Sequence, residues 1–551
     1  MLTSEILCFY SRLMSLKAID SQRSFYHTDH LCGELFNSAN RYRLLRDRIW
    51  PKLLTLRAKL ESLYCEHNGR PAVDPVKLAG VTLLQFMEKI ADRAAAEHVV
   101  YHLGWKYALD LAVSDEGFHP TVLVYFRDRL EEKKAERVIF DGVVQLLMDL
   151  GLVKKNGTQR LDSTHILGYV KEMSRLECAL ETLRLALEDV EGEVGESTRP
   201  EFWGRLWVLY VQSKVDWRLS KSERESRYRQ CGQDMRAVLD WIERNRADLS
   251  EREAVKLLRR VFEEHFEVLE GELQPRLKRS AHSVQNPHDP DAHYAEKRNK
   301  HWVGYKVHVV ENVDPEQPAK KKGEPGEHFI TEIFTTEAAQ NEMAGLTEAL
   351  KREQEHHDIE PQAMYADAGY VTENTLAKAQ QSGMELLGPT RPDPHKGPYN
   401  ADAFHVDIDK RQAVCPQGKL SAQCSRIRDT YMGTEYYRIE WASQCDCCPI
   451  QKQCTQSKSG RRILVVGLNH DLVQKRRAEM RMAEFTKSMH PRNGIEGTQS
   501  ELVRGHGLRQ TKYRGLSRVG LSHYFMGAAC NVKRYLNLLA FQMRTAAFSS
   551  V

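Results

Sequence analysis

The chain has 551 residues, room for three or four folding units at about 150 residues each. Apolar residues make up 41% and charged ones 28%, which excludes a collagen-like, mucin-like or wholly disordered chain. The net charge of +4 conceals a split: residues 455–551 carry 17 Lys and Arg against five Asp and Glu, +12 in all, and the remainder stands at −8. A basic C-terminal fifth on an acidic chain fits a polyanionic partner, nucleic acid first; a solvated helical face that touches nothing would look the same. The longest charge-free run near the C-terminus, Val519–Val532, has 14 residues, short of the roughly 20 that cross a bilayer. Glu5 and Arg12 break up the first apolar stretch, which speaks against a secretory signal. These features predict a cytoplasmic protein with no membrane partner.

Residues 25–150 read as helical. In Pro75–Lys89, Val76, Leu78, Val81, Leu83, Leu84 and Phe86 form a broad apolar face, and Pro75 stands at a favoured helix start. Further helices are predicted from about Pro120 and over Ala135–Leu150. An all-helical N-terminal domain over 1–152 follows, either DNA-binding or a packing and dimerisation bundle. From Thr158 the pattern changes to TQRLDSTHILGYV, a strand carrying Asp162, so a sheet domain begins within 153–170. Leu176, Leu180, Leu183, Leu187 and Val190 then recur at intervals of four and three, a coiled-coil-like seam. Segments around Trp203, Trp207 and Trp241, and Val255–Val268, extend this into a helical insertion over 171–280.

Strands resume at Trp302, where Tyr305, Val307 and Val309 alternate with Lys306, His308 and Val310. A charged loop (Asp314–Glu327), a strand (Phe329–Thr335) and a helix (Asn341–Glu355) come next. The strand Gln362–Ala366 delivers Asp367 at its end, and Met384–Leu387 closes a sheet domain continued over 281–395. Antiparallel strands followed by a βαβ unit predict an α/β (α+β) fold. A Cys-rich insertion over 396–465 and a largely helical C-terminal part over 466–551 complete the chain.

Of 12 cysteines, six (Cys8, Cys32, Cys65, Cys178, Cys231 and Cys530) are scattered and read as ordinary thiols. The others crowd into 40 residues: Cys415, Cys424, Cys445, Cys447, Cys448 and Cys454. Such clustering in a cytosolic chain favours metal ligation over disulfides. Cys415, Cys445, Cys448 and Cys454 have a spacing that fits a closed tetrahedral Zn²⁺ site ordering a loop with little core of its own. An iron–sulfur cluster fits the C-x₂-C-x₅-C run as well, a metal-free thiol loop is the plainer alternative, and Cys424 and Cys447 are spare thiols.

Position singles out three acids among 76. Asp162 lies on the first sheet strand, Asp367 ends a later strand in MYADAGY, and Glu496 sits in PRNGIEG among basic residues. Carboxylates at strand ends and on a facing helix can converge on one or two Mg²⁺ ions; as plain structure they would be a turn or cap residue, a strand-end turn and a surface acid. Glu501 is the fallback for the third acid, and Asp289 and Asp291 read as turn residues. The basic residues Arg492, Arg504, Arg509, Lys512 and Arg514, with Lys475, Arg476, Arg477, Arg481 and Arg518, are candidates to neutralise phosphates.

The stretches GRPAVDPVKLAGVTLLQF, FHPTVLVYFRDRL, LDST, DPDAHYAEKRNKHWVGYKVHVVEN, YADAGY, CPQGK, CDCCPIQKQC and RNGIEGTQSELVRGHGLRQTKYRG together cover most of residues 25–535. In them the chain resembles a DDE transposase of a bacterial insertion sequence, of the subgroup with a helical N-terminal domain and a Cys-rich insertion. The resemblance implies an RNase H-like catalytic sheet, with Asp162, Asp367 and Glu496 holding two Mg²⁺ (or Mn²⁺) ions. It implies cleavage and strand transfer at terminal inverted repeats, a homodimer on double-stranded element and target DNA, and residence with the nucleoid. Arg492 stands four residues before Glu496 as in the related signature, but Val503 replaces the Lys expected seven residues after it, with Arg504 next. Two other readings fit the same residues: a metal-dependent nuclease without strand transfer, and a catalytically silent, domesticated DNA-binding protein.

Overall fold

A computed structural model describes residues 14–16, 26–65, 70–195, 198–213, 219–297, 299–316, 324–393, 398–428 and 435–549. The stretch around Glu5, Cys8 and Arg12 and the middle of the 314–327 loop lie outside the described residues. The N-terminal part is helical, with α1 (Pro75–Glu88), α2 (Asp92–Tyr101), α3 (Thr121–Glu132) and α4 (Val138–Asp149) as its main elements. Asp74 starts α1 by accepting hydrogen bonds from the amides of Val76 and Lys77, with Pro75 in the first turn. Leu78, Val81 and Leu84 of α1 are buried, as their spacing predicts.

The sheet is built from β1 (Thr158–Leu167), β2 (His293–Lys297), β3 (Lys300–Val313), β4 (Ile330–Glu337), β5 (Ala363–Tyr365) and β6 (Glu385–Leu387). Its order is β4–β3–β1–β5–β6, with β2 a short hairpin partner of the start of β3. β3 runs antiparallel to β1 and β4, whereas β5 runs parallel to β1 and β6 parallel to β5. This is the order and direction of an RNase H-like sheet. The strand pattern anticipates all but β2, whose sequence HYAEK has no apolar alternation to announce it.

Both faces of the sheet are covered, which explains why β3 alternates between two kinds of buried residue. Tyr305, Val307 and Val309 join one core with the N-terminal helices and the final helix. Leu161, Val310, Phe334, Met364 and Leu386 join a second core that lies under α5 (Glu342–His357) and α6 (Glu373–Gln381).

Between β1 and β2 the chain makes an insertion with a core of its own, containing α7 (Arg175–Val190), α8 (Lys221–Asn245) and α9 (Glu253–His265). Ser174 with Glu177 and Ser220 with Glu223 form capping boxes at the starts of α7 and α8. The Leu176–Val190 seam is buried inside this insertion, so it serves packing within the chain. The helix expected over Val255–Val268 stops at His265. Phe266–Leu269 instead pairs with Glu272–Pro275 around Glu270 and Gly271, both at positive φ, a two-residue hairpin turn.

The Cys-rich segment holds more structure than a loop. A hairpin of His405–Asp407 with Gln412–Val414 adjoins a three-stranded sheet of Gln423–Arg428, Glu435–Glu440 and Ile463–Gly467. Phe404, Ile439, Trp441, Leu464 and Val466 give it a core, which corrects the expectation of a segment with little core. The C-terminal part consists chiefly of α10 (His470–Glu479), α11 (His490–Gly505) and α12 (Leu516–Ser549). Residues of α12 pack between the sheet face and the N-terminal helices, so these share a single continuous core.

Candidate active site

The parallel pairing of β1 and β5 sets the site. Its register matches Thr158 with Ala363, Gln159 with Met364 and Arg160 with Tyr365. Two residues further on, past the end of β5, this brings Asp162 beside Asp367. The Ser163 amide donates to Asp162 Oδ1 at 2.7 Å, and the Gly369 amide donates to Asp367 Oδ1 at 2.8 Å. Burial and the neighbouring Asp367 carboxylate push the Asp162 carboxyl up to about 6, against the pull of the Ser163 amide, Arg492 and Lys297.

Helix α11 lies across β1. Arg160 donates through Nη1 to the Pro491 carbonyl and through Nε to the buried Glu311 carboxylate at 2.6 Å. Glu311 also accepts from Thr498 on α11 and from Arg534 on α12. The crossing is so close that a Cβ on Gly494 would sit 2.0 Å from Arg160 Nη1. This anchoring puts Arg492 Nη2 3.9 Å from Asp162 Oδ2. Glu496 follows one turn later on the same side of α11 and is solvent-exposed.

The rival acids have structural partners. Glu501 pairs with Arg534 at 2.9 Å. Asp289 accepts from the Tyr305 hydroxyl and the Gly515 amide, and Asp291 from the Leu516 amide, so both fasten the start of α12. His308 is buried, within 3.0 Å of the Tyr370 hydroxyl and 3.3 Å of Thr336 Oγ1, a satisfied sheet residue.

Among the basic residues, Arg504, Lys512 and Arg514 are exposed, with the Arg514 guanidinium 5.3 Å over the Tyr169 ring. Arg509 donates to Thr164 Oγ1 and to the His165 carbonyl, holding the end of β1. Arg476 and Arg477 turn inward, to the carbonyls of Leu386 and Gly388 and to Asp402, while Lys475 and Arg481 are exposed or partly so.

Sequence reasoning missed Glu342, Lys297 and Arg391 beside the aspartates. Glu342 Oε2 lies 3.3 Å from Arg391 Nη2, and its Oε1 lies 3.8 Å from Lys297 Nζ. A Glu in the first turn of a helix is too common a cap to attract notice. Only the fold brings it to the Asp367 loop.

In the Cys-rich segment, Cys415, Cys445, Cys448 and Cys454 line one small cavity with Phe404, Trp441 and Ile450. Burial raises the Cys454 thiol, with the other three cysteines adding to the rise against Arg462. The turn holding Cys415 is closed by the Gly418 amide, with Gly418 at φ +73°. Cys447 is exposed, and Cys424 lies on a strand opposite Ile439.

Two stretches match known families: residues 32–129 a transposase domain (DUF772), and residues 414–536 a transposase DDE domain. The chain carries two transposase domains, the second of the DDE type. No curated protein and no solved structure matches it. The first matched stretch of the transposase spans α1 to α3, and the second contains α11 with Glu496; β1 and β5, with Asp162 and Asp367, fall between them. The DDE domain makes this transposase an enzyme that cleaves and joins DNA strands using divalent metal ions. Among the described residues, no helix is long and apolar enough to cross a membrane.

Proposed function

We propose that the transposase cuts DNA at the terminal inverted repeats of an insertion sequence and joins the freed end to target DNA, with Asp162, Asp367 and Glu496 as its catalytic acids. The observation that carries this reading is the β1–β5 register, which sets two aspartates side by side, with the helix of Glu496 pinned across the same strand. The donor set is all hard oxygen, and the Asp162 carboxyl is raised first by burial and then by the neighbouring Asp367, both penalties that a bound cation would relieve. Both suit Mg²⁺ or Mn²⁺. When bound, two such ions supply Lewis-acid activation of the attacking oxygen and stabilise the leaving one. The chain's own residues do the rest. Asp162 and Asp367, side by side, would hold the ions together with Glu496 from α11. Arg492 balances the charge beside Asp162, and Arg504, Lys512 and Arg514 receive backbone phosphates.

In this reading the enzyme acts as a homodimer, since two element ends are cut together, and works in the cytoplasm on nucleoid DNA. The four cysteines line one cavity, and in this reading they would close around a structural Zn²⁺ with no open position for chemistry. The test is Mg²⁺-dependent cleavage and strand transfer on an element-end duplex by wild type and Asp162→Ala. The reading requires joined products from the wild type and none from the variant. Equal cutting by both would refute the catalytic assignment, and hydrolysis without joining would point to a nuclease.

A further inference from the structure

Glu342 stands at the first turn of α5, behind Asn341, whose side chain accepts from the Met343 amide. Its side chain is only 16% exposed, while those of its partners Lys297 and Arg391 are 60% and 66% exposed. Across from it lies Gly369 of the Asp367 loop. A Cβ there would sit 1.7 Å from Glu342 Oε2 and 3.0 Å from Asp367 Oδ1. Gly369 is not among the residues at positive φ, so the backbone does not ask for glycine. The Glu342 carboxylate does: it fills the space a side chain would take, next to the Asp367 carboxylate.

The one point that a Gly369 Cβ would occupy lies within 3.0 Å of both the Glu342 and the Asp367 carboxylates. Hard oxygens converging on one spot in this way suit a divalent cation. Lys297 also acts on Asp162, and Lys306, its Nζ bonded to the Gln340 carbonyl, feels both Glu342 and Asp367. The acids and cations thus form one cluster.

We propose that Glu342 is a fourth carboxylate of the metal centre, paired with Lys297 and Arg391 until a divalent ion arrives and frees those two cations for DNA phosphates. The inference rests on the reading of Asp162 and Asp367 as metal ligands. Lys297 and Arg391 are long, exposed side chains able to swing outward, whereas Glu342 is held in place by its helix start.

The test is Mn²⁺ binding to the full-length protein without DNA, by calorimetry, alongside thermal melts that confirm folding. Glu342→Gln keeps the shape and removes the charge; it is expected to weaken Mn²⁺ binding by about ten-fold or more. Gly369→Ala should weaken it too, by displacing the carboxylate. In a Glu342→Ala background, where the space is vacant, Gly369→Ala should cost nothing further. Wild-type affinity in Glu342→Gln, or losses that multiply in the double variant, would overturn the inference. Asp162→Asn separates the two levels. If it too binds Mn²⁺ normally, the underlying assignment fails; if it alone loses binding, only the role of Glu342 does.

Discussion

Replacing Asp162 by Asn should abolish cleavage and at the same time make the metal-free protein more stable at neutral pH. The native carboxyl titrates at about 6 instead of the ordinary 3.8, because burial and Asp367 disfavour its charge. Below pH 3.8 both native and unfolded chains hold the proton, and the site costs nothing. Between the two values the unfolded chain ionises first, so stability falls as pH rises. Above 6 the full penalty is in place, about 3 kcal/mol at neutral pH. Asn removes the charge and with it the penalty. The assay is chemical denaturation of wild type and Asp162→Asn from pH 3.5 to 8, with and without Mg²⁺, on the transition that unfolds the sheet. The variant should gain up to about 3 kcal/mol at pH 7, nothing near pH 3.5, and no response to Mg²⁺. Added Mg²⁺ should return to the wild type much of what it lacks. Parallel pH profiles for the two proteins, or a variant destabilised at pH 7, would refute the reasoning.

Three further outcomes are expected. Arg534→Met leaves fully buried Glu311 with Arg160 as its remaining arginine partner and strips Glu501 of its Arg534 ion pair. The cost should be about 3–5 kcal/mol in chemical denaturation, and the Glu311→Gln, Arg534→Met double variant should lose less than the two singles combined. Cys448→Ser, or a strong chelator, should take bound zinc from near one per chain to near zero and expose residues 398–467 to protease while the main sheet melts unchanged; zinc retained in the variant would remove Cys448 from the site. Arg504→Ala and Lys512→Ala should each lower DNA affinity and reduce the slope of log affinity against log salt by about 0.9. Arg509→Ala, whose donors hold β1, should instead cost about 1–3 kcal/mol of stability; an unchanged fold with a lower salt slope would show that Arg509 contacts phosphate.

The sequence betrayed those features that repeat or cluster. Helical spacing marked α1 and the seam of α7, and alternation marked β3, because side-chain burial imposes a period on the chain. Asp162 and Asp367 stood out by ending or crossing strands, and the four cysteines whose spacing suggested ligands line one cavity. What stayed hidden depends on contacts between distant segments. Nothing local distinguishes Glu342 from an ordinary helix-start acid, or Arg509 and Arg476 from solvent-facing cations. Residue type alone does not tell an inward arginine from an outward one, since both need only a partner for the guanidinium. The strands of the Cys-rich segment were hidden as well, short and mixed with polar residues as they are.

The shared core around α12 ties chemistry to the order of synthesis. The face of the sheet with Tyr305 and Val307 is covered only when the last helix is in place, and Glu496 emerges just before it. A polypeptide that stops short of α11 and α12 carries Asp162 and Asp367 but neither Glu496 nor the helix that closes this face. On the proposed assignment, the third acid and the closing of the interior therefore arrive together.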